Sequence, residues 1–275
     1  MNPTDVVTLA DANYAFFIAA SAQWSREGEV LIRDGLQLVA AKTRYPVGSF
    51  NCALPLDEPG DAHRAERWLR AAIEFFNARD RGCSILLRGE KDGALGRLCA
   101  DIGMEKASEA PGMALDSPTA PPDLQDNVRI VRLSSPQQLE DFANVVAAGF
   151  AQLKLPEEIC RGMFEHPERL LAPHVHFYVA YVDDRPAATT LAIESHGISG
   201  IYWVATHPDM QRRGLASALM RHASNEAFDL GARRVILQAS PFGEPVYRRL
   251  GYREFCRYPC YFFSRSKLRA YLSKD

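Results

Sequence analysis

The sequence predicts an α/β chain of two halves with a common plan, and three observations carry that prediction. Helical runs with apolar residues three and four apart alternate with short apolar runs bounded by glycine or proline. A stretch without periodicity, "DSPTAPPDLQD" at 116–126, carries Pro118, Pro121 and Pro122 between acidic ends and reads as an extended linker. On both sides of it the chain repeats one order: strand, proline turn, helix, strand, helix, then Gly-Met or Gly-Tyr. Internal duplication explains that recurrence. The expected division is a domain over 1–116, a linker over 117–126 and a domain over 127–275.

In the first half, "ANYAFFIAASAQW" reads as a helix, and "LQLVAAK" and "GSFNCALP" as strands. A long amphipathic helix follows in "AHRAERWLRAAIEFFNARD", with Ala65, Leu69, Ile73 and Phe76 on its apolar face. "CSILL" is a short strand, and "ALGRLCADIGM" a helix closed by Gly103.

In the second half, "SSPQQLEDFANVVAAGF" opens a helix. Ser135 is placed as N-cap, Pro136 in the first turn and Gln138 where a capping box wants it. Two strands are expected around the turn Asp183-Asp184-Arg185-Pro186, and a third in "GISGIYWVAT". A helix then runs from Gly214, with Leu215, Leu219, Ala223 and Ala227 on one face and Gly231 as its stop. "RRVILQAS" is a buried strand, "GEPVYRRLGY" a short helix begun by Pro245, and "REFCRYPCYFF" a last strand.

A formal charge of −2 and a pI near 6.4 give no global reason to expect nucleic acid or an anionic membrane as partner. No apolar run approaches the roughly 20 residues that span a bilayer. The N-terminal stretch lacks the basic region and small-residue site of a signal peptide, so a cytoplasmic location is expected. Cys52, Cys83, Cys99, Cys160, Cys256 and Cys260 form no C-x-x-C pair and read as buried free thiols. The histidines of "EHPERLLAPHVHF" have no clear carboxylate or cysteine at ligand spacing, so no metal is expected.

The chemistry concentrates in "HPDMQRRGLASALM", 207–220, where a strand hands over to a helix. A helix N-terminus exposes unpaired N–H groups and the positive end of the macrodipole. Gly214 and Ala216 leave room for an anion to reach the backbone, and Arg212 and Arg213 add positive charge. Basic residues at a helix N-terminus are otherwise unfavourable, by a few tenths to about 1 kcal/mol. Their presence there points to a bound anion such as a diphosphate. Neither a G-x-x-x-x-G-K-[ST] loop nor a G-x-G-x-x-G after a strand occurs.

Gln211, Gly214 and Ala216 match a [Q/R]-x-x-G-x-[G/A] signature, and Tyr247, Gly251 and Tyr252 match Y-x-x-x-G-[F/Y] further on. Both pieces, in order and with a strand between them, resemble the Gcn5-related N-acetyltransferase (GNAT) family over 127 to about 263. The resemblance implies two domains, each a mixed, mostly antiparallel twisted sheet flanked by helices. It also implies acetyl-CoA as co-substrate, and as acceptor an amine of a small molecule or peptide. By resemblance, Val204, Ala205 and Thr206 would pair with the pantetheine arm through their backbone. The amides of Arg212, Arg213, Gly214, Leu215, Ala216 and Ser217, following Gln211, would hold the pyrophosphate. Tyr247 would protonate the departing thiolate, a step within reach of a phenol.

Two features depart from that pattern. Where relatives carry a carboxylate base fourteen residues before the motif glycine, this chain has Gly200, and Ser240 and Gly243 stand where many relatives have Asn and Ala. Glu194, His196 and Tyr202 are the candidates for the proton transfer that a carboxylate at 200 would otherwise perform. The first half departs further, because Asp57, Glu58 and Asp61 occupy its helix entrance and would repel phosphate. It reads as a degenerate copy that packs against, or shapes, the acceptor cleft. A non-catalytic acyl-CoA sensor is the rival reading. A nucleic-acid module using the basic tail "SRSKLRAYLSKD" is a second rival, but such a tail is expected to be solvated. A homodimer is compatible with the sequence.

Overall fold

The computed structural model describes residues 3–25, 27–43, 50–153, 155–164 and 166–273. The first half contributes α1 (Pro3–Trp24), β1 (Glu29–Arg33), β2 (Leu36–Ala40), β3 (Asn51–Pro55), α2 (Ala62–Ala78), β4 (Cys83–Leu86), α3 (Gly93–Asp101) and β5 (Glu105–Leu115). The second contributes β6 (Val128–Arg132), α4 (Pro136–Phe150), α5 (Glu157–Gly162), α6 (Pro167–Leu170), β7 (Val175–Val182), β8 (Arg185–Ser195) and β9 (Ile198–Thr206). It continues with α7 (Leu215–Asp229), β10 (Val235–Gln238), α8 (Glu244–Arg249), β11 (Arg253–Phe263) and α9 (Arg265–Leu272). Of the expected first-half strand "GSFNCALP", Gly48 and Ser49 lie outside the described residues.

Two compact units result, neither contiguous in the chain. One combines Met1–Asn13 with Gly112–Phe255, the other Tyr14–Pro111 with Cys256–Asp275. In the first unit the strand order is β5-β10-β9-β8-β7-β6, and every pair is antiparallel except β10 with β9. In the second it is β1-β2-β3-β4-β11, again with one parallel pair, β3 with β4. The parallel pair sits in the same place of the repeat each time and flanks the helix after the proline turn, as duplicated folds require. Each half's second parallel strand takes as its next neighbour the last strand of the other half: Val235 pairs with Leu115, and Cys260 with Leu86.

Helix α7 buries the face expected of it. Leu215, Leu219, Ala223 and Ala227 pack with Tyr178, Ala180, Ala192, Ile201, Val235 and Leu237. Helix α2 does the same in the other unit, where Ala65, Leu69, Ile73 and Phe76 meet Leu36, Leu38, Ala53 and Ile85. The Ser135 capping box forms, with Gln138 Oε1 accepting from the Ser135 amide at 3.2 Å. The linker is extended and tied down, as Thr119 and Asn225 exchange bonds of 2.8 and 3.0 Å.

The basic tail differs from its expectation. Ser264 caps α9, Leu268 is 1% exposed, and Arg265 and Arg269 both pair with Asp80. The local charge count hid an amphipathic helix with one deep anchor. All six cysteines are free, and only Cys256 is half-buried. Burial pushes the Cys160 thiol up to about 11. Among the described residues no helix is long and apolar enough to cross a membrane.

Candidate active site

Strands β9 and β10 are hydrogen-bonded neighbours only at Val235–Ser199 and Ile236–Gly200, although both run on. The separation coincides with a bulge opposite Thr189–Leu191, where Trp203 takes φ of 51°. A bulge bends its strand and leaves a residue unpaired. Val204 belongs to the bulge and Ala205 and Thr206 lie past it, on the stretch of β9 that has parted from β10.

Immediately after β9 the chain turns through Pro208–Met210 into the segment Gln211–Gly214. Arg212 and Gly214 have φ of 62° and 77°, and Gly214 is the N-cap of α7 without any side-chain cap. The first helical bond there is Ala218 N–H to Gly214 C=O, at 3.0 Å. The amides of Leu215, Ala216 and Ser217 precede that bond, so the helix itself leaves them open. No atom lies within 4 Å of where a Gly214 Cβ would stand. Gln211, Arg212 and Arg213 are exposed. At the matching entrance of α2, Asp61 accepts from the Arg64 amide at 2.7 Å, so a carboxylate already fills the anion position. The first copy is degenerate at that point.

Tyr247, on α8, packs into the core that α7 shares with β10. Burial raises its phenol above the ordinary tyrosine range. Its hydroxyl bonds to no described residue, whereas the neighbouring Tyr252 hydroxyl is committed to Ser224 Oγ at 2.7 Å. A protonated, unpaired hydroxyl is what a proton donor awaiting its acceptor looks like.

Strand pairing separates the other candidates. Gly200 and Tyr202 face the same side as Ile193 and Leu191, towards α1, while Glu194 shares its face with Ser199 and Ile201, towards α7. Glu194 bonds His176 Nε2 at 2.9 Å, in a network where Arg132 bridges His176 and Glu226. Burial first, then the Arg132 guanidinium, holds His176 below the usual imidazole range. Glu194 is therefore not brought together with Tyr202. His196 lies in the turn to β9, at φ of 55°.

The space that a side chain at 200 would take is filled. A Cβ there would come within 2.0 Å of Asn13 Oδ1 and 2.6 Å of the Tyr202 hydroxyl. Tyr202 donates to Asn13 Oδ1 at 2.7 Å, and Asn13 Nδ2 donates to Ile193 O and Ser195 Oγ at 3.1 and 2.8 Å. Asn13 is fully buried. The carboxylate position of the family pattern thus holds a neutral amide and phenol. Gly200→Ala is expected to destabilise the protein by about 2 kcal/mol or more, from overpacking and an orphaned amide. Chemical denaturation measures this, and a loss under about 0.5 kcal/mol, the range of ordinary surface changes, would mean that Asn13 is not fixed there.

Sequence reasoning missed Asn13 and Gln238. A single Asn in the apolar run "ADANYAFFIAA" was the available signal for the first. Gln238 carried none, yet its Oε1 and Nε2 are both buried without a partner among the described residues, at the end of β10 and on the Tyr202 face. Tyr202 and Gln238 each lie two residues beyond the last β9–β10 pair, Gly200 with Ile236, on the two strands that part there. Among the described residues no three His, Cys, Asp or Glu side chains gather to hold a metal ion.

Residues 145–252 match the family model "Acetyltransferase (GNAT) family". A GCN5-related N-acetyltransferase from Kribbella flavida aligns over 90% of this chain and 95% of its own, at 19% identity and a TM-score of 0.68. Another, from Sphaerobacter thermophilus, covers 94% and 93% at 18% identity and 0.62. A tandem GNAT protein from the clavulanic acid biosynthesis pathway covers 96% and 97% at 14% identity and 0.59. No curated protein matches the chain. At these identities the solved structures speak for the fold. Residues 145–252 are a domain of the GNAT acetyltransferase family, and the chain around them has the fold of a tandem GNAT protein.

Proposed function

We propose that the chain moves an acetyl group from acetyl-CoA to an amine of a small molecule or peptide, at the second-half site alone. The observation that carries this reading is the contrast between two equivalent helices. Helix α7 presents open amides behind a bare Gly214, while α2 is already capped by Asp61. A diphosphate fits the first and is excluded from the second. We keep 1–116 and 127–275 as the two copies of the repeat, and a cytoplasmic setting as the expected one.

The residues divide the work. Gln211 to Ser217 hold the pyrophosphate through backbone amides, with Arg212 and Arg213 adding charge, and the separated stretch Val204–Thr206 offers its backbone to the amides of pantetheine. The acceptor nitrogen forms its bond to the acyl carbon as the carbon–sulfur bond breaks. Tyr247 gives its proton to the sulfur. Its raised pKa keeps it protonated at working pH; because a thiol is the stronger acid, the transfer to sulfur is uphill by itself and is completed as water returns a proton to the Tyr247 phenolate. The amine's own proton leaves to water, since Asn13 and Tyr202 occupy the place of a carboxylate base. Tyr202 orients the amine, and Glu194 acts on the fold instead of on the substrate.

Calorimetric titration with acetyl-CoA, followed by thiol release over a panel of amines, tests the reading. We expect one saturable site per chain and turnover with at least one acceptor. Binding without turnover on any amine favours the acyl-CoA sensor, and no binding removes the reading altogether.

A further inference from the structure

We infer that β1 is a dimerisation edge, along which two copies of the chain pair β1 to β1 in antiparallel register about a two-fold axis through Leu31. This does not rest on the acyl-transfer reading. Strand β1 is the outermost of its sheet, and its residues are Glu29, Val30, Leu31, Ile32 and Arg33. Leu31 is 45% and Ile32 59% exposed, among the most exposed large apolar side chains of the molecule. Edge strands are usually guarded by a central charge, a proline or a bulge. Here all three central positions are apolar, and the charges stand only at the ends.

Those ends are complementary. Antiparallel pairing of a strand with its own copy is isologous, so the sequence must suit its own reversal. In the register centred on Leu31, Glu29 faces Arg33 of the second copy, Val30 faces Ile32, and Leu31 faces Leu31. Opposite charges and β-branched pairs are the combinations that stabilise such ladders, by roughly 0.2–1 kcal/mol each. A parallel arrangement in register would set Glu29 beside Glu29 instead.

The backbone agrees with this register. Asp34 and Gly35 form a two-residue turn with φ of 51° and 74°, the signature of a type I′ hairpin. In such a hairpin the flanking pair, Arg33 and Leu36, exchanges hydrogen bonds, and alternation then turns the groups of Leu31 and Glu29 inward to β2. Val30 and Ile32 are left with N–H and C=O pointing outward, and they are the residues that face each other across the proposed axis. Leu31 lies on the same face as Leu38, so the Leu31 pair would extend the core that α2 covers. Arg79 holds the Glu29 carboxylate at 2.7 Å, which fixes it at the edge.

Sedimentation velocity on the full chain over a dilution series tests the inference. The wild type is expected to show a concentration-dependent dimer, and Ile32→Lys to raise the dimer dissociation constant about tenfold or more. Glu29→Lys and Arg33→Glu each set like charges opposite one another and should each weaken the dimer, Glu29→Lys also giving up the Arg79 contact within the chain. An equimolar mixture of those two variants restores complementarity and should dimerise as a mixed species, an outcome that loss of folding cannot mimic. A wild type that stays monomeric throughout overturns the inference. So does a dimer that none of the three variants weakens, or variants whose mixture does not recover.

Discussion

Gly214→Glu is expected to lower the affinity for acetyl-CoA about 100-fold or more, a loss of about 2.7 kcal/mol, and with it to abolish the thermal shift that the ligand gives the wild type. Two effects of the substitution must be separated. Gly214 sits at φ of 77°, where a side chain is strained by about 1–2 kcal/mol, but no atom lies within 4 Å of its Cβ position. The fold therefore survives with a modest loss. The carboxylate itself does the larger damage, because it arrives where the amides of Leu215, Ala216 and Ser217 are open and caps them, as Asp61 already caps α2. It also repels a diphosphate. Gly214→Ala isolates the strain, since it keeps the unusual φ without the charge, and should retain most of the affinity. If the acidic variant binds as the wild type does, the anion is not held at this helix. Equal losses in both variants would assign the effect to backbone strain.

What could be read from the sequence was mostly local. The Ser135 capping box, the apolar faces of α2 and α7 and the glycine at the head of α7 all follow from contacts within a few residues, and each is where periodicity and capping place it. What escaped was long-range. Nothing near Gly112–Leu115 announces that these residues pair with β10, more than a hundred positions later, so the compact units could not be drawn from a linker alone. The tail was misread because charge outnumbers apolar residues in it, while its packing depends on one leucine and on Asp80, far away in sequence. Asn13 and Tyr202 are 189 positions apart, yet one hydrogen bond between them settles what stands at Gly200. Glu194 was placed at the correct end of its strand. Its face was decided by the register of β8 on β9, which a single strand does not reveal.

Tyr247→Phe should leave acetyl-CoA affinity within about twofold of the wild type and lower kcat about 100-fold, the scale on which a positioned acid contributes. Removing the hydroxyl keeps the ring, and it orphans no partner because Tyr247 has none among the described residues, so neither packing nor binding has reason to change. The loss falls on the step in which sulfur departs, and that gives a readout that a structural role would not move. With an acetyl thioester of a more acidic thiol, the leaving group needs less help, and the penalty of the Phe variant should shrink. The pH dependence carries the same assignment with a definite sign. Burial raises the Tyr247 pKa above its ordinary value, so the wild type does not lose its acid as the medium becomes alkaline. With a neutral amide and phenol where a carboxylate base would stand, the rate should instead climb with pH until the acceptor amine is itself deprotonated, and the apparent pKa should follow the acceptor from one amine to the next. A profile anchored to one pKa whatever the amine would point to an enzyme base. A Phe penalty that is indifferent to the leaving thiol would remove Tyr247 from the proton path.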